Sequence, residues 1–192
     1  MLRSDVIAMV LVGFVVLSIA SNGHSSDMVT LKGNHPPEAE TSAAIGQADP
    51  NQVLSMQIRF VPRNQTELNQ LLAEQQNPSS PNFHKWLKPG EYEQRFGASQ
   101  SDLDAVAEWL RGEGFKVEST AGGYVAFSGT VAQAERGFAI HIRRFGDGNS
   151  YANVDDPSIP ARFAGLIGNI MGFDNMMHAV PVGQRHVPPA HR

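Results

Sequence analysis

FKVESTAGGYVAFSGTVAQAERGFAIHIRRF, residues 115–145, changes its backbone period twice within one short stretch. Residues 115–120 and 124–128 read as two strands, and Ala121-Gly122-Gly123 between them supplies the turn of a hairpin. Thr130 can accept a hydrogen bond from the first N–H groups of a following helix, and Val131, Ala134 and Phe138 then recur at helical spacing. Residues 140–145 return to a strand. Hairpin, capped helix and strand in this order suit an α+β domain with helices on one face of an antiparallel sheet.

The same grammar extends upstream. Leu54, Met56, Ile58 and Phe60 alternate with polar neighbours, as expected of a strand with one buried face, and Pro62 ends it. Asn64 with Glu67 is a variant capping box ahead of Leu68, Leu71 and Leu72, which predicts a helix over residues 65–76. Pro78 and Pro81 stop that helix by removing N–H donors and restricting their predecessors. A short helix with Pro89 in its first turn should end before Gly97. Ser99 or Ser101 can then cap a helix with the stripe Leu103, Val106, Ala107 and Leu110, which Gly112 or Gly114 ends.

Downstream, Gly146-Asp147-Gly148-Asn149 suits a turn that needs positive φ, with a short strand around Tyr151. Residues 160–168 are expected as a last helix and residues 169–173 as a strand. The fold expected is α+β: a ferredoxin-like antiparallel sheet with helices packed on one face, plus an added hairpin and short helix.

The chain has 192 residues, 41% hydrophobic and 18% charged, enough to bury a core. A net charge of -4 with no run of Lys or Arg, Arg143-Arg144 being the densest basic cluster, argues against nucleic-acid binding. The absence of cysteine excludes disulfides, thiolate zinc sites and cysteine nucleophiles. Arg3 followed by an apolar run over residues 6–19 and by Ser18-Ile19-Ala20 predicts a cleavable signal peptide over residues 1–20. The run is shorter than the ~20 residues a spanning helix needs, although an uncleaved anchor stays open as an alternative. Residues 21–52 are expected as a flexible leader, 53–174 as the ordered domain, and 175–192 as a flexible Pro- and His-containing tail.

Residues 77–96, NPSSPNFHKWLKPGEYEQRF, resemble a signature of the propeptide, or activation domain, of sedolisin/kumamolisin-type serine-carboxyl peptidases. Further blocks resemble it in order: Pro62-Arg63-Asn64, Gln75-Gln76, His84-Lys85-Trp86-Leu87, Gln94-Arg95-Phe96-Gly97, Phe127-Ser128-Gly129-Thr130 and Tyr151-Ala152-Asn153. The resemblance implies a domain that is not itself catalytic. It would assist the folding of a sedolisin-type peptidase domain and inhibit it until acid pH and cleavage release it, with the partner bound in trans, or in cis if the chain is a fragment. It further implies contact through an exposed sheet face, here residues 124–128 and 140–145, and through a linker that residues 174–192 could supply.

The residues themselves agree with a non-catalytic reading. The Glu-x-x-x-Asp pair of that family's catalysis is absent, since no glutamate here has an aspartate four positions on. Ser128-Gly129-Thr130 is superficially similar to a nucleophile context but reads better as strand end, turn and helix cap, and Asp104 with Glu108 reads as a solvated helix face. His178, His186 and His191 lack metal-ligand spacing, so no metal, cofactor or catalytic residue is expected. His84 and His141 are candidates for a pH response, with an ordinary structural role for each as the alternative. Trp86, Trp109, Tyr92 and Phe96 read as core or surface-pocket packing. Two other readings stay open: a remnant of a truncated peptidase precursor, and an extracytoplasmic interaction module with a non-peptidase partner.

Overall fold

The computed structural model describes residues 27–120 and 123–176. In chain order its elements are β1 (Met28–Thr30), α1 (Glu38–Thr41), β2 (Ala44–Gln47), β3 (Val53–Phe60), α2 (Gln65–Gln76), α3 (Glu91–Phe96), α4 (Gln100–Gly112), β4 (Lys116–Ser119), β5 (Tyr124–Thr130), α5 (Val131–Phe138), β6 (Ile142–Phe145), β7 (Ser150–Asn153), β8 (Ser158–Pro160) and β9 (Ile167–Met171), with a 3-10 turn at Ala161–Phe163.

The main sheet runs β4-β5-β3-β9, and each neighbouring pair is antiparallel. The chain passes from β3 through α2, α3 and α4 to β4, leaving a gap that β5 fills. It passes from β5 through α5, and then by way of β6, β7 and β8, to β9, leaving a gap that β3 fills. These two split crossovers give the ferredoxin-like connectivity expected from the sequence. Leu54, Met56 and Ile58 of β3, Val125 and Phe127 of β5, and Ile167 and Ile170 of β9 form one buried cluster with Leu103, Val106, Ala107 and Leu110 of α4 and Val131, Ala134 and Phe138 of α5.

Phe138 is the hub of that cluster. Its ring centroid lies 5.5 Å from Trp109, 5.5 Å from Phe115, 6.0 Å from Phe127 and 5.0 Å from Phe173. One side chain therefore joins α4, the start of the hairpin, the central sheet and the segment after β9. Two local devices set the helices that deliver these rings. Ser99 Oγ accepts from the Asp102 N–H at 3.2 Å, and Thr130 with Gln133 completes a capping box in which each side chain accepts the other's backbone N–H, at 3.2 and 2.8 Å.

Several expectations are corrected. Asn64 does not cap α2 with its side chain; it sits at φ 53 in the left-handed region, and Glu67 instead reaches Arg95 at 2.7 Å. Pro89 precedes α3, whose N-cap is Gly90. Residues 160–168 are not a helix: Pro160 is the last residue of β8, paired with Met28, and Gly165 at φ 77 breaks the helical path after a single 3-10 turn. The hairpin β6–β7 does not join the main sheet but pairs with β2 in a three-stranded sheet ordered β2-β6-β7.

The largest correction concerns the leader. Residues 27–52 carry β1, α1 and β2 and are tied to the domain rather than loose. β1 pairs with β8, and the Leu31 N–H donates to Pro157 O at 2.7 Å. The Asn34 carboxamide donates to Ile170 O and accepts from the Ile170 N–H, both at 2.7 Å, so it closes the edge of β9 as a strand would. The Asp156 carboxylate accepts the N–H groups of Gly33 and Asn34 and lies 2.8 Å from His35 Nδ1, while His35 Nε2 lies 2.7 Å from Glu40 Oε1. The predicted tail is likewise held at its start: Asn175 donates its N–H to Tyr151 O at 3.0 Å and accepts the Tyr151 N–H at 2.7 Å. The proposed signal peptide and residues 177–192 lie outside the described residues.

The His35 bridge gives stability a defined pH dependence. Hydrogen bonds to Asp156 first and Glu40 second raise the His35 pKa above its ordinary value. Burial alone would push Asp156 up, but the hydrogen bonds from His35, Gly33 and Asn34 outweigh it and hold that carboxyl below its usual range. The His35 contribution is therefore present below the unfolded histidine pKa and lost as pH rises through the raised folded value. The Asp156 contribution is present above the unfolded carboxyl pKa and lost as pH falls through the lowered one. His35→Gln is expected to lower the melting temperature by a few degrees near pH 5.5, corresponding to roughly 1 kcal/mol, and by less at pH 8.5. An equal loss at both values in thermal scans would contradict the ion-pair account. Phe138→Ala is expected to cost about 3–5 kcal/mol in urea titrations, because four rings lose their common contact.

Candidate functional site

All the buried side chains of β3 point to one side, so Val53, Ser55, Gln57 and Arg59 stand on the other. The register places Ser55 beside Ser128, Gln57 between Ala126 and Met171, and Arg59 between Tyr124 and Asn169. This outer face is mixed in character and open: Val53 is 67% exposed and Met171 47%, large values for apolar side chains on a sheet. Ser55, Arg59 and Asn169 are also exposed, while Gln57, Tyr124, Ala126 and Ser128 are half-buried by their neighbours.

The face has two defined ends. At the β4 edge, Lys116 and Glu118 pair at 3.0 Å, and a register shift between Val117 and Ser119 breaks the ladder, which discourages addition of another strand. At the opposite corner, α3 closes a cavity of about 230 Å³ whose walls include Arg59, Pro62, Tyr92, Glu93, Phe96 and Tyr124. Gly172 fixes how closely the chain after β9 passes β3: at φ 97, a side-chain carbon there would meet Ser55 O at 2.2 Å.

No arrangement for bond cleavage assembles among the described residues. Ser128 Oγ donates to Glu118 Oε1 at 2.8 Å. The Lys116 ammonium, and then Ser128 itself, hold the Glu118 carboxyl below its ordinary range, which makes it a poor base. Asp104 accepts from Gln100 on the same helix at 2.9 Å, and Glu108 is exposed. No group of three or more His, Asp or Glu that could hold a metal ion occurs among the described residues.

The two candidate histidines lie off the main sheet. His84, at φ 55, stacks on Phe83 with centroids 3.7 Å apart and lies 6.1 Å from the Trp86 ring. His141 Nδ1 lies 2.6 Å from Asp155 Oδ2, which also accepts the His141 N–H at 3.0 Å. Trp109 and Phe96 are core residues, whereas Trp86 is 67% exposed and Tyr92 lines the corner cavity. His35, which no periodicity announces, holds the better-developed carboxylate network. The two strands expected to share a contact face are also separated: β5 contributes to the open face, whereas β6 belongs to the second sheet. If the outer face is not part of the core, Met171→Ser and Val53→Ser should each change stability by no more than about 0.5 kcal/mol, whereas Met56→Ser, one pleat away, should cost several-fold more. Equal losses on the two sides in denaturant titrations would show that the face is already covered.

A family model, "Pro-kumamolisin, activation domain", matches residues 40–176. Among curated relatives, Xanthomonalisin from Xanthomonas sp. (strain T-22) is 30% identical over 138 residues, which is 70% of this chain and 17% of that protein. Sedolisin from Pseudomonas sp. (strain 101) is 23% identical over 155 residues, 77% of this chain and 26% of that protein. Tripeptidyl-peptidase sed4 from Aspergillus fumigatus is 27% identical over 106 residues, 55% of this chain and 18% of that protein. The chain thus spans about a quarter or less of the length of the curated relatives it matches, and the region matched is an activation domain rather than a catalytic one.

Proposed function

We propose that this chain, which belongs to the Pro-kumamolisin activation domain family, binds a sedolisin-type peptidase domain through the open face of its main sheet, assisting its folding and holding it inactive. The observation that carries this reading is the one-sided sheet. Helices α4 and α5 and the core cover one face, and the other presents exposed Val53 and Met171 among polar neighbours. A sheet of this kind offers two covered layers and room for a third, which a partner's helices or loops can supply. The face is fixed in advance by the core behind it, so little ordering entropy is lost when it docks.

Inhibition follows if a docked domain blocks the substrate cleft or holds the peptidase short of its active arrangement. Secretion is part of the proposal. It is supported by the apolar run over residues 6–19.

The test is inhibition of a purified sedolisin-type peptidase by residues 21–192 from neutral to acid pH, with a chain cut at Val180 alongside. Inhibition at neutral pH that weakens in acid is the expected result, and loss of inhibition on truncation would assign a share of it to the tail. The face is expected to matter as well: Val53→Asp with Met171→Asp should weaken inhibition by about tenfold or more without unfolding the domain. Inhibition by the doubly substituted chain equal to that of the parent would remove the sheet face from the account.

A further inference from the structure

The charges on the outer face are unequal in an informative way. Lys116 and Glu118 compensate each other, and Ser55, Gln57, Ala126, Ser128, Asn169 and Met171 carry no charge. Arg59 is the exception: its guanidinium is exposed and has no hydrogen-bond or ion-pair partner among the described residues. It stands at the corner cavity, where Tyr92 and Phe96 of α3 and Tyr124 of β5 add three aromatic side chains to the walls.

We propose that Arg59 and this cavity form a receptor for a carboxylate side chain, Asp or Glu, carried by the docked partner. The inference rests on the docking reading above and adds to it the chemistry of one contact. A guanidinium presents a planar fork of N–H donors that matches a carboxylate two bonds at a time. Once a docked partner covers this corner, where Tyr92 is itself 40% exposed, the exclusion of water strengthens such a pair relative to one on an open surface. The resident acid, Glu93 on the α3 wall, makes no ion pair with Arg59 among the described residues, so the cation is not already satisfied from within. The other groups around Arg59 are Tyr92 of α3, Tyr124 of β5, Gln57 on its own strand and Asn169 of β9, none of them charged near neutral pH.

A contact of this kind has a pH signature. It is strongest when the partner's carboxyl is ionised and fades as that carboxyl protonates, near pH 4 for an unperturbed Asp or Glu. A guanidinium stays charged across this range.

The experiment is calorimetric titration of a catalytically silenced sedolisin-type peptidase domain with the parent chain and with Arg59→Gln and Arg59→Glu, at pH 7 and pH 4. The three are repeated with Glu93→Gln, to remove the resident carboxyl. At pH 7, Arg59→Gln is expected to weaken binding by about ten- to a hundredfold and Arg59→Glu by more, while the ratio between parent and Arg59→Gln shrinks toward one at pH 4. Melting curves equal to the parent's establish that the exposed substitution leaves the fold intact. Equal affinity of parent and Arg59→Gln at pH 7, or a ratio unchanged between the two pH values, would overturn the carboxylate receptor while leaving the docking reading in place. No binding by the parent at either pH would instead overturn the docking reading, and this inference with it.

Discussion

Phe138 is where the domain is tied together. Its ring meets Trp109 from α4, Phe115 at the start of the hairpin, Phe127 in the sheet and Phe173 beyond the last strand, so the helical layer, the sheet and the chain's return are positioned against a single side chain. The consequence is asymmetry. The main buried cluster is collected on one side of the main sheet, and the other side is left to a mixture of polar residues and a few exposed apolar ones. That bare side follows directly from how the core is built.

The remainder of the structure manages the edges this core creates. A four-stranded sheet has two outer strands with unpaired N–H and C=O groups, each a template for unwanted pairing. At β9 the carboxamide of Asn34 makes both hydrogen bonds of one strand residue, and at β7, an edge of the second sheet, Asn175 does much the same against Tyr151. The segment bearing Asn34 is held by Asp156, whose carboxylate collects two backbone N–H groups and an imidazole. At β4, where no segment returns, a charged pair and a register shift stand instead. The main sheet is therefore left open at its outer face rather than along its edges.

Much of this was legible in the chain. The alternation of Leu54, Met56 and Ile58, the stripe from Leu103 to Leu110, and the cap at Thr130 each depend on contacts within a few residues or on a single buried face, so period and capping chemistry report them directly. The propeptide resemblance around residues 77–96 pointed to the family and to a domain without catalytic machinery. The leader was misread for a physical reason: residues 27–52 are ordered by side-chain amides and carboxylates reaching backbone groups more than a hundred positions away, and such contacts leave no periodic trace. The supposed helix at residues 160–168 failed similarly, because pairing of Pro160 with Met28 is invisible locally.

By itself, the sequence determined the composition of the core, the identity and hand-over of most strands and helices, and the membership of a family. These are local or one-dimensional properties, written in the spacing of apolar side chains and in residues that tolerate only certain backbone angles. Only the tertiary structure decided which strands are neighbours, that the hairpin at residues 142–153 joins β2 rather than the main sheet, and that Arg59 stands beside Tyr92, Phe96 and Tyr124 with no charged partner among the described residues. Strand order and charge compensation are set by contacts between residues far apart in the chain, and no local pattern carries that information.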